Sequence, residues 1–157
     1  MPVDVSRVDT NSAMGATVWP DGTAFRTWAL HARNVSVVTG HALSATNDPT
    51  WRPASEDRLA PLGDGSWGGF VAGTGDGEPY LFFVEGMGSC GWKRDPYARE
   101  LRLSPAFPQS FCVVRDPSDY PWHDQAWRSP DFSDLILYQL HVGTFANGII
   151  MLALSRA

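Results

Sequence analysis

The 157-residue chain has no excess of positive charge: 12 Lys and Arg stand against 17 Asp and Glu, a formal net charge of −5. Without a basic stripe to neutralise phosphates, nucleic acid is a poor partner. The one basic cluster, Lys93, Arg94, Arg99 and Arg102, is interrupted by Asp95 and Glu100 and reads as a solvated surface. Long apolar runs are missing too. Ile149-Ile150-Met151-Leu152-Ala153-Leu154 falls far short of the ~20 residues that cross a bilayer, so no membrane span is expected. Met1 to Met14 is polar and carries no apolar signal core. Cysteine is scarce. Cys90 and Cys112 lack metal-ligand spacing, and with no signal segment the default is a cytoplasmic protein with reduced thiols, a disulfide being the less favoured alternative. His31, His41, His123 and His141 are scattered, without i, i+4 pairing or Cys partners, so neither a metal site nor any cofactor is expected.

The familiar catalytic arrangements are absent as well. Gly88-Ser89-Cys90-Gly91 does not fit a Gly-x-Ser-x-Gly nucleophile elbow. Gly73-Thr74-Gly75-Asp76-Gly77 precedes a strand-like segment, not the helix that a phosphate loop needs, and is read as a turn. The carboxylates between Asp116 and Asp134 sit beside prolines and turn residues, where Asp shapes the backbone. None is assigned to catalysis.

What the chain does have is 15 Gly, 12 Pro and seven Trp. Gly and Pro at this density punctuate short strands, and no convincing amphipathic helix is found. Candidate strands are Gly15–Trp19, Thr23–Ala29, Val35–Val38, Arg58–Leu62, Ser66–Val71 and Pro79–Val84, with a long polar loop from His41 to Asp57. The predicted architecture is all-β: residues 1–13 a loose leader, 14–97 an immunoglobulin-like β-sandwich, and 98–134 an extended Pro-rich connector. Residues 135–157 hold one apolar strand and a tail. Leu135–Val142 has the continuous hydrophobicity of a strand buried on both faces, as in a (β/α)8 barrel, yet no barrel follows.

Two tryptophans fall outside the alternating pattern. Trp51 lies in the polar loop, and Trp92 follows a small, polar stretch. An indole face stacks well on the C–H face of a glucose ring. Both rings can equally cap the edge of the sandwich. The two readings stand side by side.

Several segments in order resemble a known family: Phe25-Arg26-Thr27-Trp28-Ala29, Ala32-Arg33-Asn34-Val35-Ser36-Val37-Val38, Trp67-Gly68-Gly69-Phe70-Val71, Asp95-Pro96-Tyr97-Ala98-Arg99 and Tyr138-Gln139-Leu140-His141-Val142-Gly143-Thr144-Phe145. They are similar to the carbohydrate-binding module family 48 domains that precede glycoside hydrolase family 13 (α-amylase family) barrels, in glucan-branching and trehalose-releasing enzymes. The resemblance covers about residues 14–145. It implies an accessory domain whose partners are α-1,4-glucan or maltooligosaccharide and, in an intact enzyme, its own catalytic barrel. It also implies Trp51, Trp92 and Lys93 as glucan-binding residues; Trp92 matches the family position well, whereas Asp48-Pro49-Thr50-Trp51 departs from the usual Phe-Asn-x-Trp. The family's catalytic carboxylates sit on later barrel strands, so the chain is expected to be inactive on O-glycosyl bonds by itself. After Phe145 the sequence departs from the family and is expected to be a frameshifted or prematurely ended tail. A stand-alone glucan-binding module and an inert truncated fragment are the alternative readings.

Overall fold

A computed structural model describes residues 4–102, 110–139 and 141. The chain divides into two units, 1–120 and 121–157. The described residues of the first unit form nine short strands in two antiparallel sheets, an arrangement consistent with an immunoglobulin-like sandwich. Strands β1 (Gly15–Trp19), β2 (Gly22–Trp28), β4 (Ala60–Pro61) and β5 (Ser66–Ala72) form one sheet in the order β1-β2-β5-β4. The other runs β3 (Asn34–Thr39), β6 (Pro79–Glu85), β9 (Phe111–Val113), β8 (Glu100–Arg102), with β7 (Cys90–Lys93) also paired to β6.

The short turns follow from local chemistry. Pro20-Asp21 and Gly63-Asp64-Gly65 close hairpins whose flanking residues pair directly, Trp19 with Gly22 and Leu62 N–H with the Ser66 carbonyl at 2.9 Å. Inward-facing apolar residues meet between the sheets. Phe25 of β2 lies against Tyr80 of β6 with ring centroids 5.0 Å apart, and Val35, Val37, Phe82 and Cys112 pack with them.

Sheet two is unusual in that β6 shares one edge between two strands. Tyr80–Glu85 pairs β3 on one side; on the other, Phe82–Glu85 pairs β7 while Pro79–Tyr80 pairs β9. The chain leaves the ladder between these two pairings at Asp95, which is 4% exposed. Its carboxylate accepts from the Tyr80 hydroxyl at 2.6 Å and from the Tyr97 N–H at 2.8 Å, and its own N–H donates to Cys112 Sγ at 3.2 Å. Gly15, at φ +88°, leaves room: a Cβ there would stand 3.1 Å from both Tyr97 Cβ and the Tyr97 carbonyl oxygen. Arg99 then donates to the Ala16 carbonyl at 2.7 Å, tying this crossing to the first sheet.

Three segments differ from the sequence expectation. Residues 4–13, expected as a loose leader, are held against the first sheet. Phe70 N–H donates to the Asp4 carbonyl at 2.8 Å, Val8 is buried, and Arg7 pairs with Asp21 while its guanidinium lies over Phe70. The absence of a side chain at Gly68 makes this possible, since a Cβ there would come within 2.9 Å of Val8. The expected connector contributes β8 and β9, because Cys112-Val113-Val114 buries against β6 and the loop before it. Leu135–Gln139 has no strand and is exposed, with a short 3-10 turn at Phe132–Asp134 before it. The remainder of the expected Leu135–Val142 strand, apart from His141, and the tail to Ala157 lie outside the described residues. No helix among the described residues is long and apolar enough to cross a membrane.

Two outcomes are expected. Gly15→Ala combines positive-φ strain with a close approach to Tyr97 and lowers stability by about 1–3 kcal/mol, a drop of several degrees in Tm by calorimetry. Burial raises the Asp95 carboxyl above 3.8, outweighing the hydrogen bonds from Tyr80 and Tyr97 and the pull of Arg99. A raised carboxyl binds its proton more tightly folded than unfolded, so its charging costs stability as pH climbs above 3.8. Asp95→Asn removes that titration. Urea unfolding of both proteins from pH 3.5 to 7 is expected to show the Asn variant gaining on the native chain as pH rises; a constant or shrinking difference refutes the assignment.

Candidate functional site

The segment between β3 and β4 places an indole on the outer face of sheet two. Its ends are anchored in the core: Leu43, in a 3-10 helix over Gly40–Asn47, and Leu59, whose N–H donates to the Val35 carbonyl at 2.8 Å, are both buried. Between these anchors Asp48 turns the chain, its carboxylate accepting from the Thr50 N–H at 2.8 Å and the Thr50 hydroxyl at 2.7 Å. Those bonds hold the exposed Asp48 carboxyl below its ordinary range. A second 3-10 turn, Ser55–Asp57, is closed by the Ala54 N–H donating to Asp57 at 2.9 Å, while burial pushes the Asp57 carboxyl up.

The result is an aromatic stack. Trp51 and Trp92 lie nearly parallel, centroids 5.0 Å apart and planes 17° off. Phe83, opposite Trp92 across the β6–β7 ladder, meets Trp92 edge-on at 5.2 Å and Trp51 at 6.1 Å. Both indoles are half-buried. Beside them lies an open cavity of about 240 Å³, lined also by Thr46, Asp48, Arg52 and Cys90. Arg52 donates to the Trp51 carbonyl at 2.7 Å and lies 5.8 Å from the Phe83 ring.

The geometry limits what can bind. A sugar ring between two indoles needs contacts on both faces, about 7 Å from ring to ring. At 5.0 Å the indoles occupy each other's inner faces. A ligand therefore meets an outer face or the stacked edges. The polar groups around the cavity, Asp48, Thr46 and Arg52, supply acceptors and donors of the kind that hydroxyls need.

Of the three residues predicted from sequence, the structure brings Trp51 and Trp92 together and separates Lys93 from them. Successive residues of β7 alternate faces, so Trp92 pairs opposite Phe83 while Lys93 pairs opposite Phe82. Lys93 lines other cavities, with Trp28, Ala29 and Val84. Sequence reasoning missed Phe83, hidden in the apolar run Leu81-Phe82-Phe83-Val84, and Asp48, whose Asp-Pro-Thr context signals a turn. Both cysteines are free: Cys90 exposed at the rim, Cys112 buried, where burial pushes its thiol up.

Two antiparallel sheets with an aromatic stack beside one hairpin define the class: a β-sandwich domain with a stacking surface. The family model for carbohydrate-binding module 48 (isoamylase N-terminal domain) matches residues 13–98, more than half of the chain, and the chain belongs to this family. Among curated relatives, the 1,4-alpha-glucan branching enzyme GlgB of a Synechococcus species is 31% identical over 134 residues, 80% of this chain and 16% of the relative. The malto-oligosyltrehalose trehalohydrolase of Deinococcus radiodurans is 32% identical over 140 residues, 87% of this chain and 20% of the relative. A Salmonella typhimurium structure put forward as an alpha amylase is 25% identical at a TM-score of 0.60, covering 87% of this chain and 20% of that one. The chain thus spans about a sixth to a fifth of the length of these proteins.

The stack has a direct optical signature. Two parallel indoles 5.0 Å apart couple excitonically. Far-ultraviolet circular dichroism is expected to show a couplet that disappears equally in Trp51→Ala and Trp92→Ala. A couplet surviving either change places the coupling elsewhere.

Proposed function

We propose that this chain is the N-terminal accessory domain of an α-glucan-active glycoside hydrolase or branching enzyme, and that the Trp51–Trp92 stack holds α-1,4-glucan. The observation that carries the reading is the stack itself: two off-core tryptophans, 41 positions apart in sequence, brought to 5.0 Å beside a polar-rimmed cavity in a chain of this family. One outer indole face packs on the C–H face of a glucose unit, and hydroxyls reach Asp48 and Arg52. The relatives support an α-glucan rather than another saccharide, since GlgB is a 1,4-alpha-glucan branching enzyme. A pullulanase variant of Paenibacillus barengoltzii, 25% identical at a TM-score of 0.52 over 68% of this chain and 15% of that one, was solved with maltotetraose.

In this reading Leu135–Gln139, which carries no strand here, becomes part of the first strand of the enzyme's own barrel only when that barrel is present, with the segment before it leading into it. The exposure of Leu137 and Tyr138, and of Ile136 at 96%, supports a covering partner for that segment. Lys93 is a glucan contact only if the ligand reaches the other face of β7. The domain works in the cytoplasm on a neutral polymer, away from membranes and nucleic acid. Bond cleavage or transfer belongs to carboxylates of the barrel acting by a retaining double displacement, and this chain alone leaves glucans intact.

Binding of the full chain to glycogen and maltoheptaose, followed by tryptophan fluorescence, tests the proposal. Saturable binding is expected, weakened about tenfold or more in Trp92→Ala while the fold persists by circular dichroism. A folded native chain that binds neither ligand sinks the reading.

A further inference from the structure

On the other face of β7 lies a second concave surface. A cavity of about 390 Å³ is lined by Trp28, Leu30, Ala32, Val84, Gly91 and Lys93, among others, and an adjoining one of about 270 Å³ shares Trp28, Ala29, Val84 and Lys93 with it. Together they make one groove between the end of β2 and β7. Its walls are largely apolar, and Trp28 is 57% exposed beside it. No hydrogen bond or ion pair engages the Lys93 ammonium among the described residues. The Asp95 junction beyond Lys93 and the Phe25–Tyr80 core leave this groove unused.

Three observations connect it to the tryptophan stack. Cys90 and Gly91 line both the groove and the stack's cavity, so the two surfaces meet across the start of β7. Among the described residues that strand pairs only with β6, which leaves its outer backbone edge open to hydroxyl donors and acceptors. At the crossing point the surface is bare: a Cβ at Gly91 would meet nothing within 4 Å.

We infer that an α-glucan chain seated on Trp51 and Trp92 continues over the Cys90–Gly91 edge of β7 into the groove beside Trp28 and Lys93. The inference rests on the glucan reading of the stack. In this arrangement β7 offers sugar contacts on both faces: an indole on one, and on the other an apolar floor at Val84 with a free ammonium at its rim. A neutral polyhydroxylated chain suits a groove of this kind, because its C–H faces match the apolar wall and its hydroxyls accept from Lys93 and pair with the open strand edge. The footprint exceeds what a trisaccharide fills, so affinity should depend on chain length.

The test compares maltotriose with maltoheptaose on the full chain and on two variants by isothermal titration calorimetry. Trp28→Ala removes the exposed indole from the groove wall. Leu30→Ala removes an exposed apolar side chain from the groove wall, away from the stack's cavity. The native chain is expected to bind maltoheptaose roughly five- to tenfold more tightly than maltotriose, a gain that stacking on one further ring supplies. Both variants should bind maltotriose as the native chain does and lose most of the length-dependent gain. Equal affinities for the two sugars in the native chain, or a gain that survives both variants, overturns the inference while leaving the stack intact. If no sugar binds the native chain, the stack reading fails first and this one with it. A variant whose only effect is on stability or self-association shows that the groove serves protein contacts, and also overturns it.

Discussion

The first unit depends on burying one carboxylate where sheet two changes partners. Strand β6 cannot pair with β7 and β9 at the same residues, so the chain must leave its edge between them, and Asp95 occupies that point. A buried carboxylate without partners is expensive. Here the Tyr80 hydroxyl and the Tyr97 N–H supply two donors, with Arg99 near enough to favour the charge, though burial still dominates. The arrangement also stitches the sheets together, since Arg99 reaches the Ala16 carbonyl and Gly15 clears space for Tyr97. Trp92 lies three residues upstream. The crossing therefore fixes where β7 ends, which sets Trp92 opposite Phe83 and so builds the stack.

Much of the fold was legible because short strands alternate and turns announce themselves. Phe25 and Thr27 share a face, Pro20-Asp21-Gly22 breaks the chain, and the first six strands fall within a residue or two of expectation, apart from the short β4. Of the features that were not legible, two have a clear physical reason. The segment 4–13 has no periodicity because it is held by single contacts, a main-chain bond to Phe70 and the Arg7–Asp21 pair, rather than by a ladder. Strand β9 is three residues long amid prolines, so its membership in the sheet comes from burial of Cys112 and Val113, which only the folded chain reveals.

The candidate site divides along the same line. Trp51 and Trp92 were visible because neither fits an alternating core pattern. Their approach to 5.0 Å was not, since it depends on Asp48 folding the loop back over β6. Lys93 was named with Trp92 from the family resemblance, and strand geometry turns neighbours to opposite faces. Phe83 was invisible for a related reason. In a run such as Leu81-Phe82-Phe83-Val84 every residue looks like core, and only the outer-face covering by Trp51 and Trp92 separates Phe83 from Phe82.

In the proposed glucan reading the stack imposes its own energetic logic on binding. Each indole is already held by the other and by Phe83, so a sugar that lands on it orders little further side-chain freedom. The same contact consumes one face of each ring. A single glucose unit thus gains one stacking face, on the order of 1 kcal/mol, far below what holds a soluble sugar firmly. Useful affinity has to come from repetition along a polymer or from further contacts beyond the stack. A glucan supplies repetition by nature, and because it is neutral the net charge of −5 neither steers nor repels it. Contact length along the chain, rather than the strength of any one stack, is then what sets how firmly such a domain holds its polymer.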